Sequence, residues 1–172
     1  MDNQNINEKK KDNNIGCFVF IILIIIVIVI SIANLGKKSY VYTSEGITIS
    51  TDQYLEKSYR LGKVLFLQNK NIGLEISAEK HTFEKLEQYG INQNSTIEDY
   101  LNYVLKTNKY YAKIETDGDL VYYTNSFDNY LFITAKKTNK AFYLFTFSAP
   151  KDSAQSFKEE FIDCAKIIKI ND

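Results

Sequence analysis

One histidine, two cysteines, a short acidic hairpin and two tyrosine pairs are the residues of this chain whose chemistry could amount to a function. His81 is the sole histidine, so a Ser–His or Cys–His nucleophile would have to be built on it. It stands between Lys80 and Thr82 at an expected strand-to-helix junction, where an exposed polar residue is the ordinary reading. Cys164 falls on the apolar face of a predicted helix and reads as a small core side chain. Cys17 opens a hydrophobic run in a different setting, so no bridge between the two is expected. Glu115, Asp117 and Asp119 bracket a turn and could offer oxygens to a hard cation. The later bidentate glutamate and the spacing of a calcium loop are missing, and the cluster reads as a solvated hairpin tip. The seven glycines are scattered, and none builds a phosphate loop after a strand. The expectation is no catalytic residue, no metal and no cofactor.

The tyrosines are the better lead. Thirteen occur, with Tyr110-Tyr111 and Tyr122-Tyr123 on strands joined by one hairpin. Side chains alternate across a strand, so one member of each pair should face outward. Exposed tyrosine offers rigid amphipathic area for a protein or a glycan. Cross-strand packing in an aromatic-rich sheet is the competing use. These four are the candidate binding residues.

The elements that must position them begin with a membrane segment. Cys17 to Ala33 runs CFVFIILIIIVIVISIA without a charge, and at about 1.5 Å per residue it reaches roughly 26 Å. With Gly16, Asn34 and Leu35 it matches the hydrocarbon core of a bilayer. Residues 16–35 are therefore expected to be a transmembrane signal-anchor, contacting lipid through Cys17–Leu35. Residues 1–15, rich in Asn and Lys, read as a disordered cytoplasmic tail. Three lysines precede the span and two follow it, which favours a cytoplasmic N-terminus and an outer C-terminal domain at the cell membrane. Ser31 and Ala33 stand where a signal peptidase inspects, so cleavage after Ala33 stays open. Cys17 precedes the apolar run, unlike a lipoprotein cysteine, and Ile21 stands where a pilin would carry an acid.

Residues 36–45 read as a linker and 46–172 as an extracytoplasmic domain large enough to fold on its own core. Gly46–Ile49 begins a strand. Lys63–Leu67 and Ile72–Ile76 flank Asn69-Lys70-Asn71 as a hairpin. A short helix is predicted over Thr82–Tyr89, with Gly90 as its C-terminal cap. Ser95-x-x-Glu98 has the spacing of a capping box. Behind it Ile97, Tyr100, Leu101, Val104 and Leu105 mark one face of an amphipathic helix. Asp117-Gly118 joins Tyr110–Thr116 to Leu120–Asn125. Tyr130–Lys136 and Ala141–Ser148 follow, and Pro150 stops the sheet. Asp152 is expected to cap a last helix with Ala154, Phe157, Phe161, Cys164 and Ala165 on one face. The sum is an α+β domain, an antiparallel sheet of about six strands packed with helices.

The 21 basic residues balance 21 acidic ones, and no basic stripe occurs, so nucleic acid is not an expected partner. The opening Gly46-Ile47-Thr48-Ile49, the hairpin, the helix carrying Glu98-Asp99-Tyr100-Leu101, the meander and the closing Phe161-Ile162-Asp163-Cys164-Ala165-Lys166 resemble the PsbP-like superfamily. That group takes in photosystem extrinsic proteins, Ran-binding Mog-type proteins and the bacterial envelope protein DcrB. The resemblance spans about residues 46–170 and implies an α/β/α-type sandwich that binds partners without catalysis. It transfers no site residue, and the anchor here departs from the lipoprotein and soluble forms. The expected partner is another envelope protein; the alternative is a small molecule, glycan or wall polymer.

Overall fold

The computed structural model describes residues 19–20, 22–26, 28, 38–108, 114–117, 120–124 and 129–171. The chain divides into two units, Met1–Lys38 and Ser39–Asp172. In the first, residues 19–20, 22–26 and 28 are helical, and their apolar side chains are exposed. The rest of the span expected over 16–35 and the whole tail 1–15 lie outside the described residues. Among the described residues no helix is long and apolar enough to cross a membrane.

The second unit orders its described elements as β1 (Tyr40–Ser44), β2 (Ile47–Thr51), β3 (Glu56–Lys57), β4 (Leu65–Asn69), β5 (Leu74–Thr82), α1 (Phe83–Leu86) and α2 (Ile97–Thr107). Then come β6 (Ile114–Asp117), β7 (Leu120–Thr124), β8 (Asn129–Lys137), β9 (Ala141–Pro150), α3 (Lys151–Ile167) and β10 (Lys169–Ile170). A 3-10 turn, Glu87–Tyr89, continues α1 and ends on Gly90 in the left-handed conformation, as expected of a glycine cap.

In place of one sheet of about six strands there are two sheets, both antiparallel throughout. The larger has the order β3-β4-β5-β9-β8-β7-β6 and the smaller β1-β2-β10. The smaller sheet draws β1 from the expected linker. There Tyr40 and Tyr42 alternate with Val41 and Thr43, and the strand folds back on β2 through Glu45-Gly46. Both turn residues have positive φ, 46° and 80°, the backbone of a tight hairpin whose twist suits its strands. β3 and β10 are two residues each, too short to show a period.

Two start signals move. Thr96, not Ser95, caps α2: its hydroxyl accepts from the Asp99 amide at 3.1 Å, and the Asp99 carboxylate accepts from the Thr96 amide at 2.8 Å. Ser95 instead accepts from the Asn92 amide at 3.0 Å, inside the preceding turn. Asp152 caps nothing. α3 starts at Lys151 with Pro150 before it, which leaves Asp152 in the first turn, where its charge favours the helix dipole.

β9 is apolar along almost its whole length because both of its faces are covered. Ala141, Tyr143, Phe145, Phe147 and Ala149 join one core, shared with Phe161, Cys164 and Ala165 of α3 and with Ile47 and Ile49 of β2. Phe142 and Leu144 join a second core with Tyr100, Leu101, Val104 and Leu105 of α2. Helices thus pack on both faces of the large sheet, with the small sheet on the α3 side. Both cores lie wholly within Ser39–Asp172.

Candidate functional site

β5 carries a polar residue at every second position: Glu75, Ser77, Glu79 and His81. Alternation puts these on one face, the face that α2 covers. The register sets Ser148 of β9 opposite Glu75, Thr146 opposite Ser77, and Leu144 opposite Glu79. β8 continues the rows with Leu131 beside Ser148 and Ile133 beside Thr146. The eleven residues of α2 reach about 16 Å, whereas β5 and β9, at nine and ten residues, run to roughly 30 Å. The helix cannot cover the strands, and among the described residues the end it leaves is a groove of about 640 Å³. Its floor is Ser77, Thr146 and Ser148. Tyr103 and Asn108 from α2, Asn129 from β8, and Arg60, Leu61 and Lys63 from the β3–β4 connection complete the walls.

Charge in the groove is already matched. Arg60 pairs with Glu75 at 3.1 Å and lies over the Phe66 ring. Lys63 pairs with Glu79. Glu79 also meets the Nε2 of His81 at 3.4 Å, and the Tyr100 hydroxyl lies 2.6 Å from His81 Nδ1. In the neutral ring, Nε2 donates to the carboxylate and Nδ1 accepts from the phenol. The His81 bond, followed by Lys63, holds the Glu79 carboxyl down at about 2 against the opposing effect of burial. Burial pushes the Tyr100 phenol well above its ordinary range, so it stays a neutral donor. Its ring stacks on Phe142 at 4.4 Å.

The floor is different. Ser77 and Ser148 are each 7 % exposed, yet neither hydroxyl has a hydrogen-bond partner among the described residues. A buried hydroxyl left unpaired costs on the order of 1–3 kcal/mol. Both hydroxyls line the open groove, so whatever enters it, water included, can supply the missing partners.

His81 stands one residue before the end of β5, at the expected strand-to-helix junction, and both ring nitrogens are occupied, so it has no free basic atom for a nucleophile. Cys164 is buried on α3. Burial first, and then Glu160 and Asp52, push its thiol up to about 12. Among the described residues no group of three or more His, Cys, Asp or Glu could hold a metal ion; Asp119 of the acidic hairpin lies outside them. Tyr110 and Tyr111 also lie outside the described residues. Tyr122 and Tyr123 are placed on β7, in register with Glu115 and Ile114 of β6 and with Phe132 and Leu131 of β8. His81 lines the groove, but the floor residues Ser77, Thr146 and Ser148 are not among those singled out from the sequence. Their signal was the polar alternation of β5 and the Thr146-x-Ser148 break in an otherwise apolar β9.

No family model and no curated protein matches the chain. Among solved structures it is similar to the solution structure of cyanobacterial PsbP (CyanoP) from Synechocystis sp. PCC 6803. The identity is 12%, the match covers 78% of this chain and 92% of that one, and the TM-score is 0.46. A likeness of this size concerns the course of the backbone and says nothing of what the chain binds.

Proposed function

We propose that this chain is a single-pass, membrane-tethered, non-catalytic domain at the cell envelope, and that it works as a receptor-like module through the groove beside α2. The observation that carries the reading is the pair of buried, unpartnered hydroxyls, Ser77 and Ser148, at the bottom of an open groove. A volume of about 640 Å³ falls within the range of small-ligand sites. The occupied nitrogens of His81 and the raised thiol of Cys164 support binding over covalent chemistry. The uncharged run Cys17–Ala33, whose described apolar side chains are exposed, supports the tether. Confinement near a bilayer raises local concentration, so a modest affinity suffices there.

Docking of another envelope protein is the second reading. It is favoured by Tyr59 and Leu61, which are 81% and 86% exposed on the β3–β4 connection, beside Arg60. One experiment separates the two. A photo-crosslinking side chain is placed either at Asn108, inside the groove, or at Tyr59, outside it, in the full-length chain in its native membrane. Capture of a small molecule or glycan from Asn108, lost when Ser77 and Ser148 become alanine, is the expected result. Capture of a protein from Tyr59 alone would move the function to the connection, and silence at both positions would refute both readings.

A further inference from the structure

Resting on the groove as a binding site, we infer that its ligand is a neutral carbohydrate. Charge comes first. Among the described residues both cations in the walls are engaged by carboxylates, Arg60 by Glu75 and Lys63 by Glu79, so an anionic ligand would meet two negative groups and neither of these cations free. A cationic ligand would have to compete with arginine and lysine side chains already in place. The chemistry that fits is uncharged.

The floor then excludes an apolar occupant. Covering Ser77 and Ser148 with hydrocarbon would leave two buried hydroxyls without partners. An extended peptide recognised by its main chain needs an open sheet edge. The groove lies on the faces of β5, β9 and β8, each of which has a neighbour on both sides. What remains must donate and accept hydrogen bonds through many small groups. The serine and threonine hydroxyls of the floor do both, and the Asn129 side-chain amide adds donors and an acceptor. Sugar hydroxyls have the same dual character. Tyr103 supplies the other half of carbohydrate chemistry, a ring for the apolar face of a pyranose. That ring is half-buried against Tyr89, at 5.2 Å between centroids.

The test titrates Ser39–Asp172, which contains both cores, with chitotriose, cellotriose, maltotriose and mannotriose, read by calorimetry. Trigalacturonate, similar in size but anionic, is the control. At least one neutral trisaccharide should bind and trigalacturonate should not. Ser77→Ala and Ser148→Ala should each weaken that binding about five-fold, while Tyr59→Ala leaves it unchanged. Neither serine variant should lose its fold, because each removes a hydroxyl that the empty protein leaves unpaired. Binding of trigalacturonate in preference, or of none of the five sugars, overturns the carbohydrate inference. In that event a crosslink from Asn108 that still depends on Ser77 and Ser148 would keep the groove as a site with a different ligand. Loss of that crosslink as well would remove the groove itself.

Discussion

Replacing Glu160 by glutamine should abolish a pH dependence of stability that the packing of α3 builds into this domain. Glu160 sits half-buried where α3 meets the end of β2. The Thr51 hydroxyl donates to one carboxyl oxygen, and the Gln53 side-chain amide donates to the other at 3.3 Å. The same amide reaches Asp52 at 3.1 Å. Burial first, and then the neighbouring Asp52 carboxyl, push the Glu160 carboxyl up to about 7, against the lowering effect of Thr51 and Gln53. The folded state therefore holds a proton that the unfolded chain releases near its ordinary value of about 4.3. The associated stability is complete below that value and falls as pH rises through 7. At about 1.4 kcal/mol per pH unit the ceiling is roughly 4 kcal/mol. Because the carboxyl is partly in water, less than half of that, ~1.5 kcal/mol, is the expected effect. For a domain of this size it corresponds to about 6 °C in Tm. A carboxamide keeps an acceptor for Thr51 and offers Asp52 a donor, without titrating. Thermal melts of Ser39–Asp172 and its Glu160→Gln variant, buffered from pH 5 to 9, should agree at pH 5 and separate by about 6 °C at pH 9, with the variant higher. A difference that stays constant over that range, or grows toward acid, would refute the reasoning.

The carboxyl of Glu79 should act in the opposite sense. Its folded value near 2 makes its contribution present above about 4.5 and lost as pH falls below it, so Glu79→Gln should flatten the acid limb of a denaturation profile. Tyr100→Phe keeps the stack on Phe142 but leaves His81 Nδ1 unpaired, and chemical denaturation should show a loss of about 1 kcal/mol. Cys164 should resist iodoacetamide at pH 8 in the folded domain and react once urea unfolds it, because only the thiolate attacks; rapid labelling of the native protein would contradict its burial. Gly46→Ala should destabilise by about 2 kcal/mol or more, since an added Cβ would stand 2.3 Å from the Asn171 carbonyl oxygen at a φ of 80°, read again by denaturant midpoint.

The sequence carried the sheet and helix faces well where a period had room to repeat. Tyr100, Leu101, Val104 and Leu105 are buried, as their spacing requires, and so are Ala154, Phe161, Cys164 and Ala165. Strand ends moved by one to several residues, and the α2 cap slipped from Ser95 to Thr96, because both hydroxyls suit a helix start and only the backbone decides which is used. The groove was illegible for a different reason. It is made by the shortness of α2 against longer strands and by the pairing of β5 with β9, neither of which any local window contains. His81 shows the same limit. Its neighbours in sequence suggested solvent, while its partners Glu79 and Tyr100 come from two places along the strand and the helix.

The register of β5 on β9 joins residues about sixty to seventy positions apart in the chain, and every floor residue belongs to one of these two strands. Such pairings form late and slowly, since a long loop must close before any contact rewards it. No fragment or partly opened form that separates the two strands retains the floor. Occupancy of the groove would therefore count only intact molecules, and its loss under stress would report the unpairing of the central strands.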